Sequence, residues 1–562
     1  MPPVRIFRGR ALLRETAKGM DLSSAYLLNL PRSFLLLSAA MILCSISGSA
    51  QLPSPAKFPE PHHADRNANR TLPPQWILEV PILLTGGLGR IDEAVTTSSA
   101  KAQSYYDQGL SLLYSYEWIR AARSFYQALR EDPDFAMGYL GLSFAFSGLA
   151  DDDAAAAMAQ KAQLLAHTAS AREQLRIELR QNQLMAMASP TRMQEYTAAL
   201  DSAVRRYPVD PVLLLLRGNA AEGFAAGMGQ RGQAESIGYY ERVLQLDTNN
   251  FAAHHFLVHS QELVGHEAAA IKEAQVYTNL APAVPHAHHM YGHELLRAGR
   301  LHKAIAEFEK SLDLENSQYA TEPELRVYDW HYRHNLVLLA SAYRQAGQLP
   351  AAERTLKTLA SLPILNISDG LYQKELPGFL LETGRMDEAV TAAQPMLDSR
   401  FVLTQALGHA IVGNACAWND RVQCASDELK AAEEAIPSVD LPLRGYAANW
   451  TEILRAQIGF LTGNRPAAIS LLMQRELAMS RSPGTDAWSD AIFILEFISS
   501  FAAKRGEWDL ARFTAARMQE HAPKYRGTCL ALMRVAEHQS DSTTAQHGLE
   551  LPAKTPLPCS DR

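Results

Sequence analysis

Cysteine is scarce in this chain: there are five in 562 residues, and one of them, Cys44, falls inside an apolar N-terminal run. No CxxC occurs among Cys416, Cys424, Cys529 and Cys559, which excludes a zinc ribbon. A surplus of positive charge is also missing. The formal net charge is -7, so the chain carries no electrostatic footprint for nucleic acid. Beyond residue 50 no stretch approaches the roughly 20 apolar residues that span a bilayer, so no transmembrane helix is expected in the mature chain. Strand-like alternation is nearly absent. Neither GxSxG, a P-loop nor a Rossmann glycine fingerprint occurs, and "HELLR" at His293 lacks the second histidine of a zincin.

The first fifty residues are of another material. A basic stretch ("MPPVRIFRGRALLRETAKG") precedes "FLLLSAAMILCSISGSA", which ends with Gly48 and Ala50 at positions -3 and -1 before Gln51. That is the grammar of a secretory signal peptide over residues 1–50, with Met20 an alternative start, and it predicts a periplasmic or secreted protein. An oxidising compartment permits disulfides. Cys416 and Cys424 flank "AWNDRVQ", a helix–turn–helix tip, and are the first expected pair; Cys529 is then available to tie down the tail.

What is abundant is helical periodicity. Gly109, Ala121, Phe125, Ala128 and Pro133 fall at fixed offsets of a 34-residue unit that begins at Ala102. These are the small, large and helix-stopping slots of a tetratricopeptide repeat. The register returns at Gly265/Ala270, Gly299/Ala304, Gly347/Ala352, Gly384/Ala389, Gly463/Ala468 and Gly506/Ala511. The predicted fold is all-α: a tetratricopeptide-type solenoid, a right-handed superhelix of roughly ten to twelve helical hairpins. A linker and N-terminal cap are expected over 51–100, repeats over 101–250, histidine-lined repeats over 251–350, further repeats over 351–538 and a disordered tail over 539–562. An insertion, "ENSQYATEPELRVY", precedes the third histidine-bearing unit.

Histidine is crowded into that middle third: 11 of the 18 lie between His254 and His334. "HHFLVHSQELVG" and "HHMYGHELLRAG" each hold an i,i+4 pair, which shares one helix face. Repeat register places His255, His259, His286, His289, His293 and His334 toward the concave groove and excludes His254, His288 and His302. His331, just before the third helix, can swing in with Asp329 and Tyr332. Imidazoles reaching from helices 8–10 Å apart can meet at one ion, and neutral imidazole suits zinc, copper or iron. Met290 and Asn335 are secondary candidates; Glu262, Glu294, Arg297 and Tyr291 are the nearest groups for acid/base or substrate contacts. The competing reading is a metal-free groove that takes a peptide or protein segment. Sequence leaves the oligomeric state open.

The chain resembles a group of bacterial tetratricopeptide proteins that open with a block like "AQSYYDQGLSLLYSYEWIRAARSFYQALREDPDFAMGYLGLSFAFS". They continue to NHxxxH, HMxxHxxxRxG and HN segments, read here as "AAHHFLVH", "HHMYGHELLRAG" and "RHNLVLLA". The likeness spans about residues 88–350. His255, His259, His289, Met290, His293, Arg297, His334 and Asn335 match residue by residue, whereas His254 stands for an asparagine and Phe135 for a cysteine. The resemblance implies that these histidines act as a unit and names no reaction.

Overall fold

Glycines in the left-handed region set the repeat. Gly265 (φ 78°) and Gly299 (φ 66°) end two equivalent helices, and the next N–H returns to an upstream carbonyl, His266 to Gln261 at 2.9 Å and Arg300 to Leu295 at 2.8 Å. This closure satisfies carbonyls that the helix end would leave bare. In a computed structural model, residues 71–547 are described apart from 92, 188, 224–227, 440–442, 481–484 and 524. The expected signal peptide, the start of the linker and the end of the tail lie outside the described residues.

Among the described residues the chain is a succession of helices with no strand, the tetratricopeptide-type array of hairpins that the spacing predicts. Eight helices build the site and are labelled in chain order: α1 (Ala100–Leu113), α2 (Trp118–Glu131), α3 (Phe251–Leu263), α4 (Glu267–Leu280), α5 (Pro285–Arg297), α6 (Leu301–Tyr319), α7 (Trp330–Gln345) and α8 (Leu349–Ala360). Start signals are local. Asn250 Oδ1 accepts from Ala253 N–H at 3.1 Å before α3, Pro285 opens α5, and Asp329 accepts from the His331 N–H at 2.8 Å before α7. These caps occupy backbone donors that have no partner within the helix.

The repeat slots are filled as their sizes require. Ala121, Ala270, Ala304 and Ala352 are completely buried. A Cβ built on Gly109 would stand 2.5 Å from the Phe125 ring, and one on Gly292 would stand 2.9 Å from Phe308. Small residues therefore admit the aromatic of the partner helix, and each buried phenylalanine contributes about 1.5–3 kcal/mol. The insertion lengthens α6 to Tyr319 and then forms a short 3-10 turn, Pro323–Val327, before α7.

The turn between α1 and α2 reaches the middle of the chain. Tyr277 Oη lies 3.0 Å from Ser115 Oγ, and the Ala283 N–H donates to the Gly87 carbonyl at 2.8 Å. Residues 87–89 and 114–117 thus lie against the α3–α5 region. Elsewhere a disulfide joins Cys416 to Cys424, with Cα atoms 5.9 Å apart. The last helix runs to His547, through the start of the stretch expected to be a tail. No described helix is long and apolar enough to cross a membrane.

Candidate metal centre

The histidines do not line an open groove. His255, His286, His289, His293 and His331 are buried, at 0, 3, 1, 5 and 2 % exposure, and His259 and His334 are half-buried. The physical reason is non-local: Tyr114 and Tyr116, from the α1–α2 turn, and Trp330 pack on them. Ring centroids of Tyr116 and His255 are 4.6 Å apart, and Trp330 stacks on His334 at 5.8 Å.

Nor do the two i,i+4 pairs meet at one point. The structure gathers His255 and His259 of α3 with His286, in the first turn of α5, all three ligand atoms lying within 4.8 Å of one another. His255 Nε2 is 3.0 Å from His286 Nε2 and 3.2 Å from His259 Nε2. Equivalent residues of stacked repeats are offset along the stack, so His286 rather than His289 comes opposite His255. His293 falls instead with Glu262 and Glu294. Between the two groups, His289 lies at 4.8 Å ring-to-ring from both His331 and His334.

Hydrogen bonds fix which nitrogen each ring presents. His255 donates Nδ1–H to the Tyr114 carbonyl at 2.7 Å, which turns its unprotonated Nε2 toward the other two imidazoles. Asn335 gives its amide N–H to the Phe308 carbonyl and receives His289 Nδ1–H on Oδ1, both at 3.1 Å. Such carbonyl and amide partners are the usual orienting shell of metal-ligating histidine. His331 Nδ1 is 2.6 Å from Glu315 Oε1; its Nε2 and the Nδ1 of His286 are buried without a partner.

Burial dominates the electrostatics. It pushes His255 down to about 3 against the hydrogen bond to Tyr114. His259, His286 and His289 are held well below the usual histidine range, by burial and then by their imidazole neighbours. Burial lowers His331 and raises Glu315 well above the carboxylate range. His255, His259, His286, His289 and His331 are therefore held as neutral imidazoles with lone pairs.

The remaining candidates separate clearly. Glu262 is buried, pushed up to about 7 by burial and paired with Arg297. Met290 packs with Val258 and Ala274 in the helical seam and belongs to the core; Tyr291 packs beside them. His254 and His288 explain the doubled histidines. Each bridges to a glutamate 19 residues on, Glu273 at 2.5 Å and Glu307 at 2.7 Å. Each also donates Nε2–H to a backbone carbonyl, Thr248 or Pro282, at 3.1 Å, so no lone pair is left for a metal. His302 is exposed on α6. Sequence reasoning missed Tyr114, Tyr116, Trp330 and Glu315. Only Glu315 had a local signal, an acidic residue opening the insertion ahead of His331.

Residues 285–318, which span α5 and most of α6, match the tetratricopeptide repeat family. This segment is a tetratricopeptide repeat. Within the repeat, His286, His289 and His293 occupy the face of α5 turned toward α3 and α7, while Gly292 and Ala304 occupy the packing slots. No curated protein matches the chain. Among solved structures it is similar to yeast Tom70 at 11% identity, over 75% of this chain and 93% of that one, with a TM-score of 0.36. A tetratricopeptide repeat protein from Parabacteroides merdae is 15% identical over 48% of this chain and 99% of that one, with a TM-score of 0.32.

Proposed function

We propose that this repeat protein is exported and binds a transition-metal ion through His255, His259 and His286. One observation carries the reading: three Nε2 atoms converge, with two of the separations at 3.0 and 3.2 Å. Ligands at 2.0–2.1 Å around a tetrahedral ion stand about 3.3 Å apart, so the imidazoles already approach the edges of that polyhedron. His255 Nε2 has a single lone pair facing two rings, enough for one well-aligned hydrogen bond, whereas a cation can engage the lone pairs of all three nitrogens. An all-imidazole set suits zinc or copper, with iron also accommodated.

A bound ion of this kind supplies Lewis acidity or, for copper and iron, electron transfer. The chain's own part is to orient His255 through Tyr114, to hold the rings neutral by burial, and to exclude water with Tyr116 and Trp330. Tetratricopeptide arrays commonly present surfaces to peptide or protein partners, and that reading remains for the faces away from this seam. A cavity of about 330 Å³, lined by Trp330, Glu117, Arg120, Tyr319 and Asp329, adjoins the seam at Trp330.

Elemental analysis of the mature protein, made without a His-tag or chelator, tests the proposal. Replacing His255 and His286 with alanine is expected to remove one equivalent of zinc, copper or iron, while the exposed-site control His302→Ala retains it. Unchanged metal content in the double variant would refute the assignment.

A further inference from the structure

The seam does not end at the three imidazoles. One turn beyond His259 on α3 stands Glu262, and one turn beyond His289 on α5 stand His293 and Glu294. These three form a second convergent group, with ligand atoms all within 4.8 Å of one another. His293 Nδ1 is 3.6 Å from Glu262 Oε1 and 3.5 Å from Glu294 Oε1. All three residues are buried, at 7, 5 and 1 % exposure.

An internal ion network is the ordinary explanation for buried carboxylates beside a histidine; the Arg297–Glu262 pair fits it, and the His293 contacts do not. A charged imidazole would close on its carboxylate to about 2.7–2.9 Å, as buried ion pairs do. Here the nitrogen stands off both carboxylates at the spacing of ligands sharing a tetrahedral ion, about 3.3–3.5 Å. Glu294 Oε1 supplies an independent observation: it is buried with no hydrogen-bond partner. A buried carboxylate oxygen that accepts no hydrogen bond is costly unless a cation meets it. Arg297 pairs with Glu262 but is 35% exposed, so it can withdraw to solvent when another cation arrives.

We infer that Glu262, His293 and Glu294 form a second divalent-metal site, chemically harder than the imidazole site one turn away on the same helices. The spacing suits zinc(II), and two carboxylates with one imidazole also accommodate manganese(II) or iron(II). The protein then holds a pair of unlike ions along the α3–α5 seam. This inference extends the proposed function without resting on it, because the two ligand sets share no residue.

The test is equilibrium dialysis of the full chain, stripped with chelator, against zinc(II), and separately against manganese(II) read by electron paramagnetic resonance. Two zinc equivalents are expected in the unaltered protein, and one after Glu262→Gln with Glu294→Gln. Manganese is expected to bind unaltered protein and to be lost in that double variant, yet to persist when His255 and His286 are alanine. Arg297→Ala, which removes the competing cation and keeps all ligands, is expected to tighten manganese binding at least several-fold. That variant answers the question even if the glutamine variant fails to fold. One zinc equivalent that vanishes only in the His255/His286 variant would overturn the second site and leave the first standing. One equivalent that vanishes only in the glutamine variant would do the reverse. Manganese affinity unmoved or weakened by Arg297→Ala would also overturn the second site.

Discussion

Acid should unfold the metal-free protein well above the usual carboxylate range, and His255 sets the scale. In the unfolded chain this residue titrates near 6.5, and in the folded chain burial holds it near 3. Below pH 6.5 the unfolded state takes up a proton that the folded state refuses, so stability falls as pH falls. Each pH unit costs about 1.36 kcal/mol per such group. His255 alone therefore removes about 2 kcal/mol between pH 6.5 and 5, and about 5 kcal/mol by pH 3. Burial moves His259, His286 and His289 in the same direction. Even the His255 contribution alone is a large part of the stability of an ordinary domain, about 5–15 kcal/mol. Urea unfolding followed by circular dichroism in chelator, at half-unit steps from pH 7.5 to 5, measures the slope. The expected result is a slope of more than one proton below pH 6, reduced by about one proton in His255→Asn, whose amide can still reach the Tyr114 carbonyl. A flat profile over that range, or a slope that His255→Asn leaves unchanged, would refute the burial argument.

Other outcomes follow from packing and from the structural histidines. Gly292→Ala should cost about 1–3 kcal/mol because its Cβ meets Phe308, whereas Gly238→Ala, with open space around it in the helix Ala234–Leu246, should gain up to about 1 kcal/mol; paired thermal melts decide both. Glu273→Gln breaks the His254 bridge and should lower the melting temperature without changing metal content, a combination that elemental analysis and calorimetry check together. Replacing Cys416 and Cys424 with serine opens an eight-residue span and should cost about 2–3 kcal/mol. Reductant should lower the melting temperature of the unaltered protein and leave the serine variant where it is.

The array of hairpins was legible because its determinants are local. A glycine that ends a helix, and an alanine five residues later that admits its partner, recur in many of the hairpins, while Tyr116, Ala150 and Asp420 take the glycine's left-handed place before Ala121, Ala155 and Ala425. Register also placed His255 and His259 on one face of α3, and the doubled neighbours His254 and His288 off it. What register could not supply was the depth of that face. The residues that bury it, Tyr114 and Tyr116, stand about 140 positions earlier in the chain, and repeat spacing carries no information about contacts between repeats that are not neighbours. The same limit hid the pairing of His255 with His286 instead of His289, which depends on how far one helix slides along the next. Glu262, Glu294 and Arg297 were legible as groups near the histidines, but their burial was not.

The reach of the α1–α2 turn has a consequence for how the molecule comes apart. Linear repeat arrays can fray from either end, each hairpin holding only its neighbours. Here the Tyr114 carbonyl and Ser115 hydroxyl are bonded to His255 and Tyr277, 141 and 162 residues away. Loss of the first hairpin therefore uncovers the middle of the array, and the middle cannot loosen without releasing the first. Truncation from the N-terminus should abolish a single sharp transition rather than shorten it, and an unfolding intermediate that keeps the histidine seam intact while shedding residues 100–131 is disfavoured by construction.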